Sequence, residues 1–356
     1  MRKVAAAAHQ LPIMRPWLRN LALLALTAVL VGVFLRNADL TQVWAVIRTA
    51  NPGLVAVGIG CVFLTYVLRA VRWQVMLAPL GPTRFSVALR ATTIGFAASF
   101  ILPARAGEVL RPWLLARREG LDAAAVFATI VVERMLDLVT VLALLAMFLL
   151  MFDPGLSSMD PGVFATVRAG GLAAGVAAAA GLGLLFACAS RPVLFTRSVA
   201  GGTAWLPAGL RATVTGMATA FAEGLAVVRQ PSSLARALAW SLVLWLVIAA
   251  QTWIVSMALG VTMPPSGSLL LVALLVVGVA VPTPGAVGGF HEAYRIGATS
   301  FFGADNDHAV SAAIVLHAVG FVPTLLVGAV LMAQEGLSLA HLGAEAKRAK
   351  DEETRR

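Results

Sequence analysis

The chain has 356 residues, of which 60% are apolar and only 12% charged, and its mean hydropathy is +0.88. A soluble domain carries about twice that charged share. A soluble globular protein, a disordered chain and a nucleic-acid-binding domain are therefore excluded, and an all-α polytopic membrane protein is indicated. The formal net charge of +10 fits a membrane protein that gathers Lys and Arg on its cytoplasmic side.

In chain order, Arg2, Lys3, Arg15 and Arg19 precede the first apolar run, which ends at Leu35 without an A-x-A-like cleavage site. This predicts an uncleaved first span with a cytoplasmic N-terminus. Only helices and closed barrels satisfy their backbone in lipid. Apolar runs over 18–35, 52–68, 123–152, 163–189, 237–259 and 309–333 therefore predict six full spans. Two further segments are interrupted. The first, 85–102, breaks at Pro103 and resumes over 104–116; the second, 269–281, breaks at Pro282 and Pro284 and resumes over 288–302. Each reads as a broken re-entrant hairpin whose Pro- and Gly-rich tip reaches toward the other's, an arrangement that points to a transporter-type site. Two thin crossings per segment, giving eight to ten in all, fit the same charge pattern.

Lys and Arg fall mainly in segments 1–20, 69–90, 105–122, 190–236 and 334–356. Outside these lie Arg36, Arg48 and Arg168, assigned to external loops, and Arg134 and Arg295, at membrane depth. Both termini are thus expected in the cytoplasm, in a cytoplasmic (inner) membrane. The expected division is an N-terminal segment 1–17, a transmembrane domain 18–335 and a charged tail 336–356. Cys61 and Cys188 sit in apolar runs and indicate no disulfide framework. Gly171 and Gly175 of the fourth run, at GxxxG spacing, predict close helix packing.

Four polar groupings interrupt the apolar pattern. Arg69-Ala-Val-Arg72-Trp73 reads as an interfacial anchor, with a headgroup contact as its functional alternative. In Pro103-Ala-Arg105-Ala-Gly107-Glu108-Val-Leu-Arg111, the residues Arg105, Glu108 and Arg111 share a helix face. Two guanidiniums around one carboxylate leave net positive charge for a phosphate, which the planar fork of Arg binds bidentately. Glu133-Arg134-Met-Leu-Asp137 places three charges inside an apolar run. Charges at that depth need pairing, a wet cavity or an interfacial position. Last, Pro282-Thr-Pro284-Gly285-Ala-Val-Gly288-Gly289-Phe-His291-Glu292-Ala-Tyr-Arg295 cannot continue a helix through its Pro and Gly. A new helix is expected to open at Gly288 or Gly289, its N–H groups attracting anions. Glu292 and Arg295 stand at pairing distance along that helix. His291 beside Glu292 permits proton coupling, and an energy-free scramblase fits equally. His317 has no evident partner. Metal-ligand spacings, P-loops and dinucleotide motifs are absent, and no cofactor is expected.

These groupings, in this order over roughly 18–335, resemble the lysylphosphatidylglycerol synthase transmembrane region, also called the flippase-like or UPF0104 group. In two-domain synthases of that kind the membrane region moves an aminoacylated phospholipid between leaflets, and a separate cytosolic domain makes the lipid. The sequence runs to Arg356, and that cytosolic domain is expected to be missing from this protein. The resemblance therefore implies a non-enzymatic translocator of a phospholipid or lipid-linked amphiphile. Its partners would be membrane lipids (anionic or aminoacylated phospholipid, or a polyprenyl-linked substrate) and no nucleic acid, with a homo-oligomer or a separate lipid-modifying enzyme as further partners. By charge placement, Arg105 and Arg111 would hold the phosphate, helped by the helix end near Gly288, and Glu108, Glu133, Asp137 and Glu292 would balance the cations or contact a cationic headgroup. A non-catalytic member of a lipid-synthesis complex and a membrane transferase on a lipid-linked substrate are the alternatives.

Overall fold

The computed structural model describes residues 16–101, 107–151 and 161–336. All regular structure among them is helical. The first part comprises α1 (Pro16–Leu35), α2 (Leu40–Thr49), α3 (Pro52–Leu77), α4 (Phe85–Ile101), α5 (Gly107–Glu119) and α6 (Ala123–Met151). After these come α7 (Pro161–Ser190), α8 (Pro192–Gly202), α9 (Ala208–Gly224) and α10 (Pro231–Ala258). The chain then forms α11 (Gly267–Ala280), a short 3-10 turn at Pro284–Ala286, α12 (Gly289–Phe302) and α13 (Asn306–Gln334).

Among the described residues, four helices are long and apolar enough to cross a membrane: α3, α7 over Ala169–Ser190, α10 and α13. A fifth crossing results if Leu24–Leu35 and Leu40–Thr49, bent by 80°, act as one span. The six-span expectation is thus met in part. Helix α6 has the length, 29 residues, but Glu133, Arg134 and Asp137 in its interior set it apart by composition. The segment after Leu35, read from sequence as an external loop, contains α2, because Asp39 caps it by accepting from the N–H groups of Thr41 at 2.8 Å and Gln42 at 3.4 Å.

Both interrupted segments are antiparallel hairpins. At about 1.5 Å per residue, 17-residue α4 and 14-residue α11 are roughly 25 and 21 Å long, short of a core of about 30 Å. In each hairpin a glycine pair lets the arms touch near the break. A Cβ on Gly107 would overlap the Gly95 carbonyl and Ser99, and one on Gly289 would overlap the Gly278 carbonyl. Farther from the tips, Gly95 faces Arg111 and Gly297 faces Leu271. The 3-10 turn of the second tip rests on α4 of the first, and α13 packs on both hairpins.

The GxxxG expectation is corrected. Gly175 has nothing near its missing side chain, whereas Gly171 and Gly181 face Leu145 and Met135 of α6. The close approach therefore runs at a spacing of ten residues along α7. A core around fully buried Trp73, Leu115 and Val126 packs the first hairpin against α3 and α6; a second, around Tyr294, Val310 and Val255, packs the second hairpin against α10 and α13.

Candidate functional site: an arginine-rich cluster beside two joined cavities

Helices α3, α5 and α6 converge on one buried ion cluster. Glu133 Oε1 is met by three guanidiniums: Arg72 Nη2 at 3.1 Å, Arg111 Nη1 at 2.9 Å and Arg134 Nη2 at 2.8 Å. Asp137, one turn on, takes Arg72 Nη1 at 2.5 Å and the indole N–H of Trp245 at 2.9 Å, with Arg134 Nη1 at 3.6 Å. Arg72 also donates to Ser241 Oγ at 2.8 Å. The arrangement follows from helix periodicity. Glu133 and Asp137 lie one turn apart on one face of α6, so a single guanidinium from α3 reaches both. Removing such charges from water is costly unless they are paired and hydrogen-bonded.

Arg72 and Glu133 are fully buried. The interfacial-anchor reading of Arg69 and Arg72 is therefore corrected: α3 continues to Leu77, which carries both arginines into the bundle, where Arg72 meets two carboxylates. Arg111 is buried too and is engaged by Glu133, its guanidinium lying 4.0 Å over the Trp73 ring. Arg105 and Pro103 lie outside the described residues. Glu108 is half-buried and lines the smaller cavity described below.

Arg69 differs from its neighbours. It is half-buried, its guanidinium sits 4.6 Å over the Phe96 ring, and among the described residues it makes no ion pair. It lines a cavity of about 420 Å³ between α3, α4, α6, α10, α11 and α13. Arg69, Arg134 and Asp137 are the charged residues of that lining, and most of the rest is apolar, with Leu138, Val141, Val276, Phe100 and Phe321 among it. A second cavity, about 140 Å³, lies between the hairpin tips. Ser99, Gly107, Glu108 and Arg111 line it from the first hairpin, Thr283, Gly285 and Ala286 from the second. Phe96, Phe100, Arg134, Val279 and Phe321 line both cavities, which therefore adjoin. Among the residues of this lining, Arg111 Nη2 and Nε, Arg134 Nε and Thr283 Oγ1 are buried and make no hydrogen bond.

Of the other predicted residues, Gly285 alone lines one of these two cavities. Glu292 and Arg295 form the expected pair, which is bidentate, at 2.6 and 2.7 Å, and neither lines these two cavities. Gly288 lies against Leu30, and its N–H goes to His291 Nδ1 at 3.3 Å. Gly289 seats the hairpin crossing, Gly285 lines the smaller cavity, and Pro284 begins the 3-10 turn. Sequence reasoning missed the aromatic wall of Phe96, Phe100 and Phe321 and the indole of Trp245. An aromatic residue within an apolar run carries no signal of which way it points.

The family model for the lysylphosphatidylglycerol synthase TM region matches residues 20–328, most of the chain and all of the cluster. The chain belongs to that family. Among curated proteins, this member of the lysylphosphatidylglycerol synthase TM family is similar to a protein named glycosyltransferase AglD from Haloferax volcanii, at 27% identity over 360 residues. The match takes in 93% of this chain and 56% of the relative, so the chain spans little more than half the length of the curated relative it matches.

Proposed function

We propose that this protein moves a phosphate-bearing lipid between the leaflets of the cytoplasmic membrane, with both termini in the cytoplasm. The observation that carries the reading is Arg69, a cation without an ion-pair partner among the described residues, set in the wall of a largely apolar cavity. An apolar cavity suits a lipid tail, and an unneutralised guanidinium suits a phosphate. Arg134 and Arg111 also line the smaller cavity, and Arg111 keeps two N–H groups without a hydrogen bond. Alternate parting of the two tips would open the cavity to one leaflet and then the other.

A translocator fits these carboxylates better than an enzyme does. Glu133 and Asp137 are held as ion pairs, which suits a fixed electrostatic scaffold more than proton transfer to a substrate. The name of the relative favours a second reading, in which the cavity presents a lipid-linked substrate to a transferase, either within the same polypeptide or as a separate lipid-modifying partner.

The test is a mass-spectrometric census of lipids that co-purify with the wild-type protein and with Arg69→Gln, followed by a leaflet-exchange assay in vesicles of the enriched lipid. The expected result is one phosphate-headgroup class enriched in the wild type, lost in the variant and exchanged between leaflets by the wild type alone. Bulk-membrane lipids in both samples would overturn the phosphate site. Product formed from a sugar or aminoacyl donor, without leaflet exchange, would favour the second reading.

A further inference from the structure

The second hairpin tip is fastened by two histidines that the lipid site leaves unused. His291, on the first turn of α12, is 8% exposed, and its Nδ1 accepts the Gly288 N–H at 3.3 Å. That bond requires Nδ1 to be unprotonated, so the ring is neutral with its proton on Nε2. His317, in mid-α13, stands 2.8 Å from the Gly285 carbonyl through Nε2. A carbonyl only accepts, so His317 Nε2 carries a proton and donates it. The two rings lie 4.6 Å apart between their centroids. The pair therefore grips the tip from both sides, at Gly285 and at Gly288.

The gripped segment is strained. Gly285 has φ +59°, Gly288 has φ +88°, and Ala286 between them has φ +57°, a region disfavoured for a residue with a Cβ. Such a conformation persists only where its surroundings impose it. The grip also touches the cavity wall: Phe321 stacks on His317 at 4.0 Å and lines both cavities, and Gly285 and Ala286 line the smaller one.

We propose that His291 and His317 form a proton-binding site that holds the second hairpin tip in place only while His291 is neutral. A proton added at His291 Nδ1 removes the acceptor for the Gly288 N–H and sets an imidazolium beside a second imidazole, so the strained segment lets go. The groups around His291 leave this response to His317. Helix α11 and the stretch of α1 from Leu21 to Leu35 carry no titratable side chain. On α13, Asp307 and His308 are engaged elsewhere, with the Asp39 N–H and the Leu259 carbonyl. On α12 itself, Glu292 and Arg295 neutralise each other and Tyr294 bonds Ser256 at 2.5 Å. The role of the site in transport, a proton-driven step that moves the tip, rests on the lipid-translocation reading; the grip itself does not.

The experiment reads the grip directly. In the full chain with Cys61 and Cys188 replaced by Ser, Val287→Cys is labelled with a maleimide between about pH 3.5 and 8, a range that reaches below the ordinary titration of histidine. Each rate is divided by that of Trp205→Cys, an 81% exposed position, to cancel the pH dependence of the thiol itself. The expected result is a ratio that rises several-fold on acidification. In His291→Asn, which offers a non-titrating acceptor, the ratio should stay flat. In His317→Phe, which keeps the ring stack and removes the second imidazole, the rise should occur at higher pH. A flat ratio in the parent, an equal rise in His291→Asn or an unmoved midpoint in His317→Phe would overturn the proposal. No lipid cargo enters this readout, so it stands or falls separately from leaflet exchange.

Discussion

Arg111, on the second arm of the first hairpin, reaches Glu133 of α6 across 2.9 Å, and both side chains are out of solvent. This bond ties the hairpin to the bundle, and it explains why a residue that reads as a phosphate ligand is partly spent on structure. Removing one partner of a buried pair strands the other charge, at about 3–5 kcal/mol. Arg111→Ala should therefore lower the melting temperature in detergent sharply. An unchanged melting temperature would show that the pair does not hold the hairpin.

Arg69 breaks no ion pair when it is changed. Arg69→Lys keeps the charge and loses the planar fork. Retention of phosphate lipid, read by native mass spectrometry, should fall from parent to Arg69→Lys to Arg69→Gln, with melting temperature nearly constant. Equal retention in all three would remove Arg69 from the site.

The glycine crossings make a third test. Alanine at Gly107 or Gly289 would place a methyl group on a facing carbonyl, and overpacking of that kind costs about 1–3 kcal/mol. Gly183, on α7, has open space around it. Gly183→Ala should stabilise by up to about 1 kcal/mol through helix propensity alone. Thermal unfolding of the three variants should separate the two hairpin positions from Gly183; the same small shift in all three would mean that the arms do not touch as described.

Glu335 joins Arg90 and Arg118 where α13 ends, and both arginines are largely in solvent, 42% and 54% exposed. Glu335 itself is 11% exposed, but pairs whose cations stand in water contribute about 0–1 kcal/mol and weaken with salt. A double-mutant cycle of Arg118→Ala with Glu335→Ala should give a coupling inside that range, smaller at high salt. A larger, salt-insensitive coupling would mark this contact as a structural clamp.

The helices themselves were legible in the sequence. The apolar runs anticipated α3, α10 and α13 because a span must be apolar along most of its length, and proline and glycine fixed both breaks. The Glu292–Arg295 pair also followed from local spacing. What could not be read was which helix each face meets. Arg72 sits near the end of an apolar run, where an interfacial anchor and a buried ligand of Glu133 look alike. His317 had no visible partner because its partner is a backbone carbonyl in a segment far away in the chain. Helix α2 was overlooked because a short helix with one buried residue, Val43, carries little periodic signal.

The placement of the cluster bears on how the chain enters a bilayer. Helix α6 carries Glu133, Arg134 and Asp137, and an unpaired charge at mid-membrane costs about 2.5–3.5 kcal/mol on insertion scales. Its neutralising arginines, Arg72 and Arg111, both precede it in the chain. By the time α6 leaves the ribosome its countercharges have already been made, and it can join α3 and α5 as a preassembled acceptor instead of entering lipid alone. Ser241 and Trp245, which complete the hydrogen bonding of the cluster, arrive only with α10. The order of synthesis therefore matches the order in which the charges need partners, and moving Arg72 to a later helix would be expected to trap α6 at the insertion machinery.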